Sequence, residues 1–461
     1  MAKTVFLQTY GCQMNERDSE EVLGMLGNLG YDRAEAPEAA DVVLLNTCSV
    51  REHAEERAFG KMWEMKTLKR QRPELVLGII GCMAKAQRDV VFKRLPFIDL
   101  VAGPAELYDL PMLIAEIQDK RRMSDHLLAI DRKFRPLDQK PASVDYRREG
   151  VTAFVTIMEG CDKRCTYCIV PTTRGQEISR PAEEIIAEIR SLTARGFKEI
   201  TLLGQNVNSY GKRFPDGSGF QGPLGRLRML NEQPEQLLDF AALLRRIDAE
   251  APAPRLRFTT SHPFDATERL FEALRDCRSA CEWLHLPVQS GSSRLLRAMR
   301  RGYTREAYLE KIARLRQLIP DVSLSTDIIV GFPGETDDDF QQTLSLLRDV
   351  AYDNAYIFKY SPRPGTDAAA WVDDVPQDVK EDRNQALLAA QEEISLTRFA
   401  RYEGRTVEAL IEGPGKKPGQ VFGRTRGNHG VIVDGPESLV GQLVEARIAR
   451  ATPRTLFGEL R

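Results

Sequence analysis

Three of the eight cysteines lie within eight residues, in the segment Cys161-Asp-Lys-Arg-Cys165-Thr-Tyr-Cys168. Their C-x3-C-x2-C spacing lets three thiolates reach one small inorganic core, and iron–sulfur clusters are held by such thiolates. No fourth cysteine follows nearby to complete the ligand set. One iron is therefore predicted to stay open, so that a small molecule can coordinate it.

A structural zinc loop is the alternative for this segment. Zinc in a closed structural site takes four protein ligands, usually cysteine or histidine. The nearest histidine, His126, lies well upstream of Cys161. The spacing therefore favours a cluster over a zinc ion.

A second set of three cysteines is spread over the N-terminal third of the chain, and each follows a predicted strand. The strands cover 5–10, 41–46 and 75–80, and the cysteines after them are Cys12, Cys48 and Cys82. Helical patterns alternate with these strands and with a fourth strand at 98–102, which predicts an open parallel α/β sheet.

The carboxyl ends of parallel strands share one edge of a sheet, where ligands bind. Cys12, Cys48 and Cys82 are therefore predicted to converge and to hold a second cluster, again with one iron lacking a cysteine. The alternative is three unrelated core cysteines, because free cysteine is often buried. Equivalent positions at three strand ends favour the cluster.

The central third predicts a partial (β/α)6 barrel, because six strands alternate with helical patterns. Sites in such barrels lie at the carboxyl ends of the strands. The Cys161–Cys168 loop follows the first strand. The strands cover 153–158, 199–204, 255–260, 283–288, 323–330 and 355–360.

Polar residues at the ends of these strands are candidate ligand contacts. Gln205 and Asn206 follow the second strand, Gln289 follows the fourth, and Asp327 lies in the fifth. Amide and carboxylate groups suit the amino and hydroxyl groups of a small ligand. The run Gly331-Phe-Pro-Gly-Glu335 is either a further contact or only a strand-to-helix turn.

The C-terminal part predicts a charged helix from Asp378 to about 402, followed by short glycine-separated strands that suit a small β-barrel. Its basic residues are predicted to face one phosphate-binding surface, and the alternative is a solvated barrel face. These residues are Lys416, Lys417, Arg424, Arg426, Arg447, Arg450 and Arg454.

Length and composition limit the number of domains and the classes of protein to which the chain can belong. A chain of 461 residues is long enough for about three domains. With a net charge of −2, the protein as a whole has no positive electrostatic field that would attract nucleic acid, so any RNA-binding surface must be a local patch. No run approaches the ~18 apolar residues of a membrane span, and the N-terminus lacks a signal-peptide layout. Few, clustered cysteines favour metal ligation in a reducing cytoplasm over disulfides.

Several other features have ordinary interpretations. The charged segment 118–149 is either a solvated connector or an RNA-contacting arm. The glycine-rich stretch 211–233 covers the substrate or, slightly favoured, is an insertion. Cys277 and Cys281 are predicted to pack in the core because a third metal site there lacks partners, and His285 is predicted to be a core histidine.

The motifs together resemble the methylthiotransferases of the radical S-adenosylmethionine (SAM) superfamily, over nearly the whole chain. Tyr167 before the last cysteine is typical of the superfamily, and the C-terminal part resembles a TRAM domain. The resemblance implies a methylthiotransferase N-terminal domain at 1–145, a radical SAM domain at 146–377, and a linker helix with TRAM at 378–461. The N-terminal motifs are Thr9-Tyr-Gly-Cys-Gln-Met-Asn15, Asp18-Ser-Glu20, Asn46-Thr-Cys-Ser-Val-Arg51 and Gly81-Cys-Met83.

The resemblance implies two [4Fe–4S] clusters and SAM as cofactors. Cys161, Cys165 and Cys168 would hold the catalytic cluster, and the N-terminal cysteines an auxiliary cluster that carries the sulfur. It places Gln205 and Asn206 near the methionine end of SAM, and Gln289 and Asp327 near its sugar or the methyl-donor path. The implied partners are tRNA through its anticodon loop, a low-potential electron donor and a sulfur-delivery protein, with no membrane.

The segment Cys12-Gln-Met-Asn15 looks like the branch of the family that acts on dimethylallyl-adenosine in tRNA. That branch converts N6-(dimethylallyl)adenosine-37 to its 2-methylthio derivative. The other branches act on threonylcarbamoyl-adenosine in tRNA or on an aspartate of a ribosomal protein. A different class remains open, a non-catalytic iron–sulfur protein that binds RNA. Carbon 2 of adenine has no acidic proton, which is why a radical enzyme is expected.

Overall fold

The fold is taken from a computed structural model, which describes residues 3–49, 52–119, 126–132, 150–220, 225, 229 and 236–461. For residues 52–54 this description covers the backbone alone. Most of the charged segment 118–149 and the second half of the stretch 211–233 lie outside the described residues, so their predicted roles stay predictions. No described helix is both long and apolar enough to cross a membrane.

The N-terminal residues form a six-stranded, fully parallel sheet in the order β2-β1-β3-β4-β5-β6. Its central strands are buried along their whole length because helices cover both faces. The predicted open sheet is confirmed, and two short edge strands are added. The strands are β1 (Lys3–Tyr10), β2 (Tyr31–Arg33), β3 (Val42–Thr47), β4 (Val76–Ile80), β5 (Leu100–Ala102) and β6 (Leu127–Ala129).

Among the described residues, five α-helices accompany this sheet. Residues of β1, β3 and β4 pack against the helices in two clusters, one on each face, which fixes the carboxyl ends of the strands. The helices are α1 (Gln13–Asn28), α2 (Glu52–Gln71), α3 (Cys82–Gln87), α4 (Val90–Arg94) and α5 (Leu110–Asp119).

The central residues form six parallel strands in chain order, as predicted. They lie in two three-stranded sheets, β7-β10-β11 and β12-β13-β14, whose neighbouring strands β11 and β12 are in contact. The short β8 and β9 pair antiparallel after the first strand. The strands are β7 (Thr152–Thr156), β8 (Met158–Glu159), β9 (Ile178–Ser179), β10 (Glu199–Leu203), β11 (Arg255–Thr259), β12 (Trp283–His285), β13 (Ser323–Val330) and β14 (Asn354–Lys359).

The helices between these strands surround one large buried core. Thr267, Thr304 and Thr336 accept backbone hydrogen bonds at the first turns of three of them, as good N-caps do. The described helices are α6 (Val170–Arg174), α7 (Ala182–Ala194), α8 (Phe240–Glu250), α9 (Glu268–Asp276), α10 (Ser293–Ala298), α11 (Arg305–Leu318) and α12 (Asp337–Val350).

The C-terminal residues form helix α13 (Gln377–Ala400) and a closed five-stranded barrel, which confirms the predicted small barrel. The barrel has its own core, around Ile411, Val431 and Ile448. Its strands follow the order β15-β16-β17-β19-β18. They are β15 (Thr406–Pro414), β16 (Gln420–Thr425), β17 (Gly430–Asp434), β18 (Leu443–Ala451) and β19 (Thr455–Leu460).

The small barrel docks on the amino-terminal ends of the central strands, opposite the edge that carries the cysteine loop. Buried Arg257 of β11 donates to the carbonyl oxygens of Thr425 at 2.6 Å and of Arg426 at 2.7 Å. It also pairs with buried Glu199 at 2.9 Å, and Glu199 pairs with Arg424 at the same distance. A buried ionic network therefore joins the two domains.

This docking corrects the prediction that seven basic residues of the small barrel form one phosphate-binding surface. Arg424 pairs with Glu199 and Glu412, and Arg426 pairs with Glu282, so both face the central domain. The sequence pattern did not distinguish them because interdomain contacts leave no local signal. Any RNA surface must use the other basic residues.

Replacing Arg257 with methionine is expected to destabilise this junction by about 3–5 kcal/mol, because buried Glu199 and two carbonyl oxygens lose their partner. The midpoint of urea unfolding should fall accordingly. The matched control is Arg246→Met, which breaks exposed pairs with Glu183 and Glu250 and should cost no more than about 1 kcal/mol. Equal urea unfolding midpoints for the two variants would contradict the claim that this ionic network stabilises the contact between the two domains.

Candidate metal centres

The N-terminal cysteines lie where three neighbouring strands end. Cys12 follows β1, Cys48 follows β3, and Cys82 begins α3 directly after β4. The backbone N–H of Cys48 donates to the carbonyl oxygen of Tyr10 at 2.9 Å, which ties two of the loops together. The structure therefore brings the three predicted residues to one edge of the sheet.

Two buried asparagines hold these loops in place. Asn15 Nδ2 donates to Asn46 Oδ1 at 2.9 Å, and Asn46 Nδ2 donates to the carbonyl oxygen of Asn15 at 2.8 Å. The thiol of Cys12 lies 3.3 Å from Asn15 Oδ1. Gly81 has φ of +93°, and a Cβ there would lie 2.2 Å from Asn46 Oδ1, so only glycine fits beside the network.

The thiols of this trio have unlike environments. A hydrogen bond from Cys48 is the main cause that lowers the pKa of Cys12 to about 6, whereas burial raises the pKa of Cys82. Gathering three thiolates, two of them buried, costs free energy unless a cation neutralises them. The donor set therefore suits a cluster, whose irons supply that charge.

The central trio lies in the loop after β8. The N–H of Cys161 donates to the carbonyl oxygen of Gly175 at 3.1 Å, and that of Cys168 to the carbonyl oxygen of Cys165 at 3.0 Å. Gly160 just before the loop has φ of +74°, and a Cβ there would lie 2.0 Å from the carbonyl oxygen of Gln176. The loop conformation therefore depends on this glycine.

Burial opposes thiolates in this loop as well. It raises the pKa of Cys168 to about 11 and raises that of Cys161 further, and the neighbouring cysteines add to both shifts. Cys161 and Cys168 therefore need a bound cationic group to be charged together. A [4Fe–4S] cluster fits this donor set.

Cys165 has two nitrogen donors beside its sulfur that the sequence reasoning missed. Arg301 Nη1 lies 3.4 Å from Cys165 Sγ, and His262 Nε2 lies 4.0 Å from it. The backbone N–H of Phe264 donates to His262 Nδ1 at 3.2 Å, so the proton of the neutral ring lies on Nε2. Burial and the nearby Arg301 lower the pKa of His262, which keeps the ring neutral.

A single metal ion suits these trios less well. Within the part of the chain that the structure describes, no three cysteine, histidine or acidic side chains are grouped to hold one ion. Ligands of a four-iron core bind different corners and so lie farther apart than ligands of one ion. Cys277 and Cys281 are buried and belong to no such group among the described residues, consistent with packing.

Two cavities meet at Cys168. The first, of about 570 Å³, is lined by all three central cysteines. The second, of about 950 Å³, lies between the N-terminal helices and the mouth of the barrel. Its lining includes Glu55, Gln87 and Arg94 from the N-terminal domain and Tyr167, Cys168, Gln289, Asp327, Phe358 and Tyr360 from the barrel.

The four predicted SAM contacts divide into two pairs. Gln289 and Asp327 line the larger cavity together with Cys168. Asn206 is buried and donates to Asp265 at 2.7 Å, and neither it nor Gln205 belongs to the described lining of the two cavities. The side-chain oxygens of both residues are buried without a hydrogen-bond partner among the described residues.

A buried ion pair connects the two cysteine regions. Arg174, six residues after Cys168, donates from Nη2 to Asp18 Oδ2 of α1 at 2.6 Å. Helix α6, which ends at Arg174, packs against α3, which begins at Cys82. Both trios therefore lie on the side of the barrel that carries the mouth. No spacing in the sequence singled out Arg174.

Comparison with known protein families gives three matches along the chain. Residues 4–103 match the uncharacterized protein family UPF0004, residues 155–347 match the radical SAM superfamily, and residues 400–460 match the TRAM domain. Together they cover the N-terminal sheet, the barrel with its cysteine loop, and the small barrel.

Curated relatives match over nearly the full length. A protein of Anoxybacillus flavithermus is 46% identical, over 99% of this chain and 82% of its own. A protein of Symbiobacterium thermophilum is also 46% identical, over 99% and 94%. One of Clostridium perfringens is 43% identical, over 100% and 98%. All three are named tRNA-2-methylthio-N(6)-dimethylallyladenosine synthase.

Solved structures with low sequence identity share the fold. The radical SAM methyltransferase TsrM of Kitasatospora setae, with cobalamin and a [4Fe–4S] cluster bound, has a TM-score of 0.55 at 16% identity, over 80% of this chain and 74% of its own. The cobalamin-dependent radical enzyme OxsB has a TM-score of 0.52 at 13% identity, over 85% and 56%. These neighbours support the fold alone.

Proposed function

The chain belongs to the family of tRNA-2-methylthio-N(6)-dimethylallyladenosine synthases, and from this we propose that it places a methylthio group on carbon 2 of N6-(dimethylallyl)adenosine-37 in tRNA. The observation that carries the proposal is two cysteine trios, one from each domain, on the same side of the barrel and joined by the Arg174–Asp18 pair. The relatives favour this substrate over the threonylcarbamoyl-adenosine and ribosomal-protein branches.

The cofactors of the family are SAM and [4Fe–4S] clusters. When bound, they supply reductive cleavage of SAM, methylation of a sulfur and transfer of the methylthio group to carbon 2. In our proposal, Cys161, Cys165 and Cys168 hold the catalytic cluster and leave one iron for SAM. Cys12, Cys48 and Cys82 hold the auxiliary cluster that carries the sulfur.

The residues of the larger cavity would bind and orient the reacting molecules. Gln289 and Asp327 offer amide and carboxylate groups to the polar atoms of SAM, while Tyr167, Phe358 and Tyr360 supply apolar surface. A volume of about 950 Å³ lies within the usual range of ligand sites. The adenine must leave its stack to enter, which costs a few kcal/mol and less in a single-stranded loop.

Gln205 and Asn206 have a separate role in this proposal. Their unpartnered side-chain oxygens would accept hydrogen bonds from the amino group at the methionine end of SAM. Asp265, which accepts from Asn206, also pairs with Lys163 of the cysteine loop at 2.8 Å. This chain of contacts would couple SAM binding to the loop.

Three partners complete the proposal. The TRAM match and the named relatives support tRNA. A low-potential electron donor is needed for SAM cleavage. A sulfur-delivery protein would restore the consumed sulfur. We place the reaction in the cytoplasm, where thiols stay reduced.

The test is mass spectrometry of tRNA nucleosides. Deleting the gene should remove 2-methylthio-N6-(dimethylallyl)adenosine and leave its unmethylthiolated precursor, and the reconstituted protein with SAM and reductant should restore the product on that tRNA. Loss of a threonylcarbamoyl derivative, or of a modified aspartate in a ribosomal protein, would point to another branch. Unchanged nucleosides and protein, with iron bound, would favour a non-catalytic RNA-binding protein.

A further inference from the structure

The ion pair with Asp18 does not by itself explain why the charged side chain of Arg174 is buried. Its side chain is 3% exposed, and its partner Asp18 is 1% exposed. The pair joins α1 of the N-terminal domain to the helix that follows the central cysteines. Replacing a buried ion pair by apolar residues is often neutral or stabilising, so stability alone is a weak reason for one here.

The same guanidinium also reaches the N-terminal trio. Helix α6, which ends at Arg174, packs against α3, which begins at Cys82, and the charge of Arg174 acts on the Cys82 and Cys12 thiols. Arg174 Nη1 is buried without a hydrogen-bond partner among the described residues. An unsatisfied buried donor costs about 1–3 kcal/mol, and more when it is charged. We therefore expect Arg174 Nη1 to donate to an acceptor that binds beside the three cysteines.

A [4Fe–4S] cluster at Cys12, Cys48 and Cys82 would supply such acceptors, because its sulfides and thiolates are negatively charged. The reduction potential of a cluster depends on its net charge, on hydrogen bonds to its sulfurs and on exposure. Arg174 offers both a hydrogen bond and a buried positive charge. A nearby cation favours the more negatively charged, reduced state.

We propose that Arg174 donates a hydrogen bond to a sulfur of the auxiliary cluster and that its charge raises the reduction potential of that cluster. The proposal rests on the function given above and adds a residue that acts on the sulfur donor. Asp18 orients the guanidinium, and its own negative charge partly offsets the effect.

The experiment isolates the auxiliary cluster in the full-length chain. Cys161, Cys165 and Cys168 are all replaced by alanine, so that after anaerobic reconstitution only the N-terminal trio holds iron. The midpoint potential is then measured by redox titration followed by electron paramagnetic resonance. Arg174→Met, Arg174→Lys and Asp18→Asn are compared with this parent. Arg180→Met is the matched control, because Arg180 is equally buried but pairs with Glu188.

The expected shifts have opposite signs. Arg174→Met removes the cation and should lower the midpoint potential, whereas Asp18→Asn removes an anion and should raise it. Arg174→Lys keeps the positive charge, so its midpoint potential should lie between those of Arg174→Met and the parent. Arg180→Met should leave the midpoint potential unchanged. With the central cysteines restored, Arg174→Met should reduce methylthio product by about 10–100-fold, as loss of an outer-shell partner does.

A merely structural ion pair would give a different result. Arg174→Met and Asp18→Asn would then shift the potential in the same direction or not at all, and either outcome overturns the proposal. If Arg174→Met fails to hold iron, Asp18→Asn and Arg174→Lys still decide the question. The measurement needs no tRNA, so unchanged potentials together with normal product formation by the unsubstituted protein refute only this inference. Absence of product from the unsubstituted protein, with the expected shifts in potential, refutes only the proposed function.

Discussion

Replacing Cys165 with alanine is expected to abolish reductive SAM cleavage, with 5′-deoxyadenosine release falling at least a thousandfold, roughly 4 kcal/mol of barrier. In the proposed site Cys165 is one of three ligands, and its sulfur receives the Arg301 and His262 donors. Its loss leaves two thiolates for a cluster that already has one open iron. The measurement is 5′-deoxyadenosine under reductant, together with iron per chain, which should fall from about eight to about four.

Cys277→Ala is the matched control for that variant. Cys277 is also a buried cysteine of the central domain, but it packs in the core near the end of α9. Iron content and SAM cleavage should both be retained, apart from a modest loss of stability. Persistent SAM cleavage in the Cys165 variant would refute the assignment of the catalytic cluster.

Replacing Cys48 with alanine is expected to separate the two halves of the reaction. SAM cleavage should continue because the central trio is intact, while the methylthio product should fall to background because the sulfur-carrying cluster loses a ligand. Cys48 is buried, and its backbone fixes the neighbouring loop through Tyr10. Nucleoside mass spectrometry and 5′-deoxyadenosine release, measured on one sample, give both quantities.

The control for the Cys48 variant is Cys281→Ala, a second buried cysteine outside both trios. It should keep product formation and about eight irons per chain. Methylthio product from the Cys48 variant at the level of this control would show that the auxiliary site is wrongly assigned. Simultaneous loss of SAM cleavage would instead indicate that the two sites are not independent.

Local spacing made much of this protein predictable. The Cys161–Cys168 loop is one short segment, so its three thiols are close together in any fold. The strand pattern around Cys12, Cys48 and Cys82 predicted a parallel sheet, and parallel sheets gather strand ends at one edge. The six-strand barrel and the small C-terminal barrel followed from the same kind of pattern, because alternation of strands and helices reflects burial.

The sequence did not predict contacts between side chains far apart in the chain. It gave no reason to choose Arg174, whose partner Asp18 lies 156 residues away, nor the Arg301 and His262 donors to Cys165. It also grouped Arg424 and Arg426 with RNA-binding residues, although both dock the small barrel on the central domain. Charge and spacing alone cannot separate an arginine that meets RNA from one that meets a buried glutamate.

By itself the sequence determined the ligand types, their spacing and the three kinds of domain, because these depend on residues near each other in the chain or on periodic burial. Only the tertiary structure decided that both cysteine trios lie on one side of the barrel, that Gln289 and Asp327 share a cavity with Cys168, and that a buried arginine joins the trios. The physical reason is that such contacts depend on how separately folded domains pack. That packing is set by the shape and charge of whole surfaces, which no short motif encodes.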